Sequence, residues 1–405
     1  SFKNGSDLSL KAHYTRFDQD REQTVFSQYF NPQGQRLNAL EFETDASQEI
    51  DIYTAQADYS TTIGESAFES GLKFSSIESE SGIEYMNERR LESLYDELGD
   101  VFLYDENIYA AYLSISHDWT KWSGKLGLRG EYTDRTGESM SIETINDREY
   151  FELFPTAYLQ YRASDNHSFT LDYSRRIQRP RYESLNPFRY FLNETNFNAG
   201  NPNLIASISN NFNLNYTLNN AWFFDFYYKD LGEAPETLVF QDNQNLTIRN
   251  VNQNLLDSKS YGIDIFHGTS ITDFWYAQFF TSLFRMENTL LALESNNAEV
   301  TIEAEGVQAY VYNIFTLSQD GTFEGTLFAQ YLSDYLSGSY NLEPMTTVSI
   351  GLRKTLWDNR AELSLNVNDI FNSTNTRLTS EYLIQYYKAK NLIKRATMCV
   401  SIALN

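Results

Sequence analysis

The chain has 405 residues, room for two or three soluble domains or for one very large closed sheet. Its formal net charge of -24 argues against nucleic acid as a partner, because holding phosphate requires a basic field, and points to cations or basic ligands or simply to a solvated acidic surface. Aromatic residues make up 15% of a chain that is only 41% hydrophobic, the balance expected when lipid-facing and water-facing residues alternate along membrane strands. The single cysteine, Cys399, excludes an intrachain disulfide and a thiolate metal cage. No apolar run reaches the roughly 18 residues that a membrane-spanning helix needs. Residues Ser1 to Asp7 lack the basic start, apolar middle and cleavage site of a signal peptide, so the expectation is a mature chain or one that begins partway into a longer protein.

In chain order, segments of about ten residues with two-residue alternation recur throughout, and each reads as a strand with one apolar face and one wet face. Their cores are Leu8–Phe17, Ile52–Ser60, Phe68–Ser75, Ile108–Trp119, Gly124–Thr133, Phe151–Arg162, Ser168–Ser174 and Asn210–Leu218. They continue with Trp222–Asp230, Ser260–Ser270, Phe274–Phe284, Val307–Ser318, Phe323–Ser333, Thr346–Leu356, Ala361–Phe371 and Leu392–Asn405. The pattern is clean in Phe212, Leu214, Tyr216 and Leu218, which interleave with Asn211, Asn213, Asn215 and Thr217. An even count of about 16 is what antiparallel closure requires.

The gaps between strands are short and long in turn. Short gaps such as 61–66, 164–166, 219–220 and 357–360 carry Asp, Asn and Gly of hairpin type. Long gaps lie at 76–107, 134–149, 175–207, 231–258, 286–305, 335–345 and 372–391. Outer-membrane barrels have short periplasmic turns and long extracellular loops, and all five tryptophans, Trp119, Trp122, Trp222, Trp275 and Trp357, lie beside short gaps where an aromatic girdle belongs. A soluble sandwich or solenoid also alternates, but it has no need for this rhythm of loop lengths. The fold class expected is therefore all-β, a transmembrane antiparallel β-barrel spanning residues 1–405.

Residues 172–190 read Asp-Tyr-Ser-Arg-Arg-Ile-Gln-Arg-Pro-Arg-Tyr-Glu-Ser-Leu-Asn-Pro-Phe-Arg-Tyr, and 198–204 read Asn-Ala-Gly-Asn-Pro-Asn-Leu. These runs resemble the barrel of TonB-dependent outer-membrane receptors, in particular outer-membrane β-barrel family proteins. Residues 108–112 with 126–133 resemble a second block of that family, and the match runs in order along nearly the whole chain. The resemblance implies a 22-stranded barrel, of which this chain is the C-terminal part, with a plug and TonB box that are not apparent here. It implies the outer membrane of a Gram-negative bacterium, outer-membrane lipid as surroundings, and coupling to the TonB system through the plug. The function implied is binding and import of a scarce nutrient of the siderophore, cobalamin or glycan class. The alternative is a non-transporting barrel, an accessory subunit that meets a surface lipoprotein or other subunits of an outer-membrane complex.

Arg-Pro and Asn-Pro steps end strand pairing, because proline has no amide donor and restrains the residue before it. Arg175, Arg176, Arg179, Arg181 and Arg189 are the ligand-facing or plug-facing candidates; their competing reading is that they organise the loop and pair with local acids. A second group is the acidic surface loop, with Glu84, Glu88, Glu92, Asp96 and Glu97. Within it Asn87 to Leu98 has helical spacing, an apolar stripe whose readings are a lid on the barrel, a grip on a partner, a calcium loop, for which EF-hand spacing is absent, or a loop folded onto its own barrel. His13, His117, His167 and His267 fall in separate strands or turns, so no metal site, cofactor or catalytic residue is expected, nor an enzyme.

Overall fold

The computed structural model describes residues 2, 5–86, 99–141, 143–358, 360–374, 377–390 and 397–404. Sixteen strands form one antiparallel sheet in chain order. They are β1 (Asp7–Phe30), β2 (Arg36–Ile63), β3 (Ser66–Met86), β4 (Asp100–Asp118), β5 (Trp122–Ser139) and β6 (Thr144–Ser164). Next come β7 (His167–Gln178), β8 (Ser207–Leu218), β9 (Trp222–Asp230), β10 (Asp257–Thr272) and β11 (Trp275–Ala292). The last five are β12 (Ala298–Thr316), β13 (Phe323–Leu332), β14 (Met345–Leu356), β15 (Ala361–Asn368) and β16 (Thr397–Leu404). The sheet is the barrel wall, with β1 and β16 as its edge strands.

Short turns close the hairpins at one end. Asn219 and Asn220 both have positive φ, 54° and 53°, the left-handed pair that matches the strand twist in a tight hairpin. Trp119, Trp122, Trp222 and Trp357 are exposed beside such turns, whereas Trp275 is half-buried and donates from Nε1 to Asn313 Oδ1 at 2.9 Å.

The first strands run well beyond the predicted cores, and they do so with their polarity inverted. On β3 the outward positions near the turn are apolar, Leu72 being 63% exposed, while Lys73 and Ser75 point inward. Past Ser76 the same outward row becomes Glu78, Glu80 and Glu84, and the inward row becomes Ile77, Ile83 and Tyr85, all buried. Register pairs the outward acids Asp51 with Glu78, Glu49 with Glu80 and Asp45 with Glu84. On β4 the change falls above Tyr109, where Asn107 and Asp105 replace Ile115, Leu113 and Tyr109 on the outer side. The apolar outer band is the lipid contact; above it the strands stand in water and bury their inner face.

The long loops bury that face by folding inward. A short helix, α1 (Tyr182–Leu185), and the strands Arg189–Asn193 and Asn196–Ala199 lie between β7 and β8. Asn196–Ala199 pairs in parallel with Thr247–Asn254, which pairs with Pro235–Asp242, so two loops build one small four-stranded sheet. A second small sheet combines Tyr335–Ser337, Tyr340–Leu342, Arg377–Tyr382 and Gln385–Lys390. Tyr382 OH donates to the Val239 carbonyl at 2.9 Å and Tyr340 OH to Asn250 Oδ1 at 2.5 Å, joining the two sheets into one cap. Phe42, Tyr85, Phe102 and Tyr104 of the wall pack with Leu185, Phe188, Phe191 and Leu204 of the cap. Phe42 and Phe191 meet edge to face at 5.9 Å, and each such buried side chain contributes about 1.5 to 3 kcal/mol.

In the band, Leu214 faces outward and Asn213 inward, where its Nδ2 donates to Asp172 Oδ1 at 2.8 Å. Leu214→Arg is expected to cost about 2 to 4 kcal/mol in reversible unfolding from lipid vesicles, and Asn213→Arg close to nothing. Equal costs would mean a dry core on both faces.

Candidate ligand-binding site

The Arg-Pro motif is where the wall releases the chain into the cap. β7 ends at Gln178, and Pro180, with no N–H to offer a neighbour, prevents further pairing. Arg179 turns back to the wall. Its Nε lies 3.3 Å from Glu106 Oε1 on β4, and its Nη2 donates to Glu131 Oε2 and Thr133 Oγ1 on β5, each at 2.9 Å. Glu131 accepts a further bond from Arg129 Nε at 2.5 Å. At the far end of the insert, Arg135 on β5 donates to the Leu204 carbonyl. Both ends of segment 179–204 are thus fastened to the inner face of β4 and β5.

Glu106 lies above the lipid band and is buried beneath the insert. Burial raises its carboxyl above the ordinary carboxylate range, against the opposing pull of Arg179 and Arg135. Burial likewise pushes the Tyr182 phenol up to about 12, with Glu106 adding to the effect. Gly200 closes the insert on itself: any Cβ there would strike the backbone oxygen of Asn186, so the two halves of the insert approach as they do only with glycine.

Between this insert and the inner faces of β1, β2 and β3 lies a cavity of about 420 Å³. The wall supplies Gln19, Arg21, Gln23, Gln48 and Ser81. The cap supplies Arg181, Glu183, Tyr190, Asn198, Asn250 and Asn252. Side-chain amides dominate, and an amide both donates and accepts, so the lining suits a polar ligand rich in oxygen. The Arg21 guanidinium carbon stands 5.5 Å from the Tyr190 ring centroid, a cation–π contact from wall to cap. The apolar hollows on the outer face, around Leu72, Tyr109, Leu113 and Leu126, belong to the lipid band.

Of the five arginines singled out in the sequence, only Arg181 lines the cavity. Arg175 pairs with Glu152 at 2.7 Å, and Arg176 donates from Nε to Ser174 Oγ at 3.1 Å. Arg179 anchors the insert, and Arg189 sits 5.6 Å over the Phe197 ring within the cap. Glu84 is exposed on the outer face of β3, opposite Asp45. Glu88, Glu92, Asp96, Glu97 and the stripe from Asn87 to Leu98 lie outside the described residues. Arg21, Tyr190 and the amides were not singled out. The amide run from Gln241 to Asn254, dense in Asn and Gln within a long gap, is the signal that could have found part of the lining. Among the described residues no group of three His, Cys, Asp or Glu side chains is placed to hold a metal.

A sequence profile described as outer membrane protein beta-barrel family matches residues 1–402. The fold is similar to that of the ferric yersiniabactin uptake receptor FyuA from Yersinia pestis, with 12% identity and a TM-score of 0.58 over 96% of this chain and 58% of that one. It is similar to the ferric-catecholate import receptor Fiu from E. coli K12, with 9% identity and a TM-score of 0.60 over 99% of this chain and 62% of that one. It is also similar to the ferripyoverdine receptor of the outer membrane of Pseudomonas aeruginosa, with 11% identity and a TM-score of 0.58 over 96% of this chain and 53% of that one. The chain therefore spans less than two thirds of the length of these receptors, and identity at this level shows the fold alone. No curated protein matches the chain by sequence. The resemblance carried by residues 172–204 is borne out, and the matches are to barrels and receptors rather than enzymes.

Arg179→Met leaves Glu106 and Glu131 without their shared cation in a place largely closed to water. The docking of the insert is expected to weaken by about 3 to 5 kcal/mol. Hydrogen exchange should then rise across residues 182–204 and stay unchanged in the band of β5. An insert as protected as in the parent would contradict the anchoring role.

Proposed function

The chain belongs to the outer membrane protein beta-barrel family, and from that premise we propose that it is the barrel of a receptor that captures a scarce nutrient at the cell surface for import. A member of this family lies in the outer membrane of a Gram-negative bacterium. In this reading residues 1–405 are a single barrel domain, and coupling to the TonB system rests with a plug in the whole protein. One observation carries the proposal: the long loops fold inward and leave a polar cavity of about 420 Å³ on the inner face, above the lipid band. A wall serving only as a scaffold has no need of an amide-lined chamber at its mouth.

The receptors of similar fold are described as taking ferric yersiniabactin, ferric catecholates and ferripyoverdine, which favours a ferric siderophore over cobalamin or a glycan. A deletion strain supplied with each class in turn as sole source is expected to fail on one, and the full-length gene to restore growth. Asn198→Trp, which places a bulky ring at an exposed position of the cavity lining, is expected to reach the surface in normal amount and restore little growth. Normal growth of the deletion strain on every source would favour the accessory barrel instead.

A further inference from the structure

We infer that the ligand of this cavity is an oxyanion that also bears hydroxyl groups, and that Arg21 and Arg181 bind its acidic oxygens. The inference rests on the receptor reading and names the chemistry of the molecule received. The chain carries 55 acidic residues against 31 lysines and arginines, and many of the basic side chains above the lipid band are paired with a carboxylate. Arg16 is held by Glu49 and Asp51, Arg179 by Glu106 and Glu131, Arg249 by Glu294, and Arg285 by Glu287, Glu303 and Glu305.

Among the described residues neither Arg21 nor Arg181 has a carboxylate within ion-pair distance, and unlike Arg135 and Arg176, which also lack one, both face the one cavity. Asp20 and Glu22 flank Arg21 in sequence, yet strand alternation sends them to the outer face and Arg21 to the inner one. Tyr190 holds the Arg21 guanidinium by its face, a contact that uses none of its N–H donors. Arg181 follows Pro180 directly, and its side chain is exposed into the cavity. A planar guanidinium with free donors is matched by carboxylate or phosphate, which accept two parallel bonds. Glu183 is the one carboxylate of the lining, so two positive groups stand against one negative. Gln19, Gln48 and Asn198 then serve hydroxyls, since they donate and accept but carry no charge.

Glucarate and glucitol share a six-carbon polyhydroxylated chain and differ in the terminal carboxylates, so they separate charge from hydroxyl recognition. With the full-length receptor purified from outer membranes, calorimetric titration is expected to show glucarate binding at least about tenfold more tightly than glucitol. Arg21→Gln and Arg181→Gln are each expected to weaken glucarate by at least about tenfold and to leave glucitol unchanged. Equal affinity for the two probes would overturn the inference, as would undiminished glucarate binding by both arginine variants or no binding of either probe by the parent. In each of those cases the receptor reading still stands or falls with the growth of the deletion strain.

Discussion

Everything above the lipid band depends on one constraint: a strand that leaves the bilayer must exchange the roles of its two faces. Within the band the outer row must be apolar, because a charge facing lipid costs several kcal/mol near the midplane. In water the same outer row must be polar, and any apolar row on the inner side needs a cover. β3 makes the exchange between Phe74 and Ile77 without a bulge or a change of register. Glu78, Glu80 and Glu84 keep the upper outer face out of the bilayer, and Ile83 and Tyr85 require something to pack against. Much of the chain's acidity is the solvated half of this arrangement.

The cap answers that demand. Phe188, Phe191 and Leu204 fill the inner face that Phe42, Tyr85 and Phe102 leave apolar, and Arg179 and Arg135 fasten the insert at its two ends. Apolar packing supplies the area, and the buried ion pairs fix where the insert lies. The cavity arises where the two differ in character: the inner rows of β1 to β3 turn from apolar to polar at Gln19, Arg21, Gln23 and Gln48, the cap does not close on them, and a chamber remains.

The band was legible in the sequence because two-residue alternation of apolar and polar residues is what lipid on one side and water on the other dictate. The predicted cores at Leu8–Phe17, Gly124–Thr133 and Asn210–Leu218 fall inside the strands that form. The extensions were not legible, and segments 76–107 and 134–149 read as loops although β3 reaches Met86 and β5 reaches Ser139. There the alternation persists with its sense reversed, and a Glu- and Ser-rich run resembles a solvated loop. Arg21 was hidden for the same reason, since it lies past Phe17 on such an extension. The small sheets were out of reach for another: Asn196–Ala199 finds its partner in Thr247–Asn254, and four residues carry no period long enough to announce a strand. Arg179 and Arg181 were visible as part of a basic cluster, but only the fold separates them, the first half-buried against the buried Glu106 and the second open to the cavity.

The exchange of faces can be read by a spin-label scan along β3 in liposomes, with Cys399 replaced and single cysteines placed at Leu72, Glu80 and Ile83. The label at Leu72 is expected to relax with lipid-soluble oxygen, that at Glu80 with a water-soluble nickel chelate, and that at Ile83 with neither because the cap covers it. A label at Ile83 as accessible to either reagent as those at the other two sites would mean that the inner face is uncovered and that no cap packs on the upper strands.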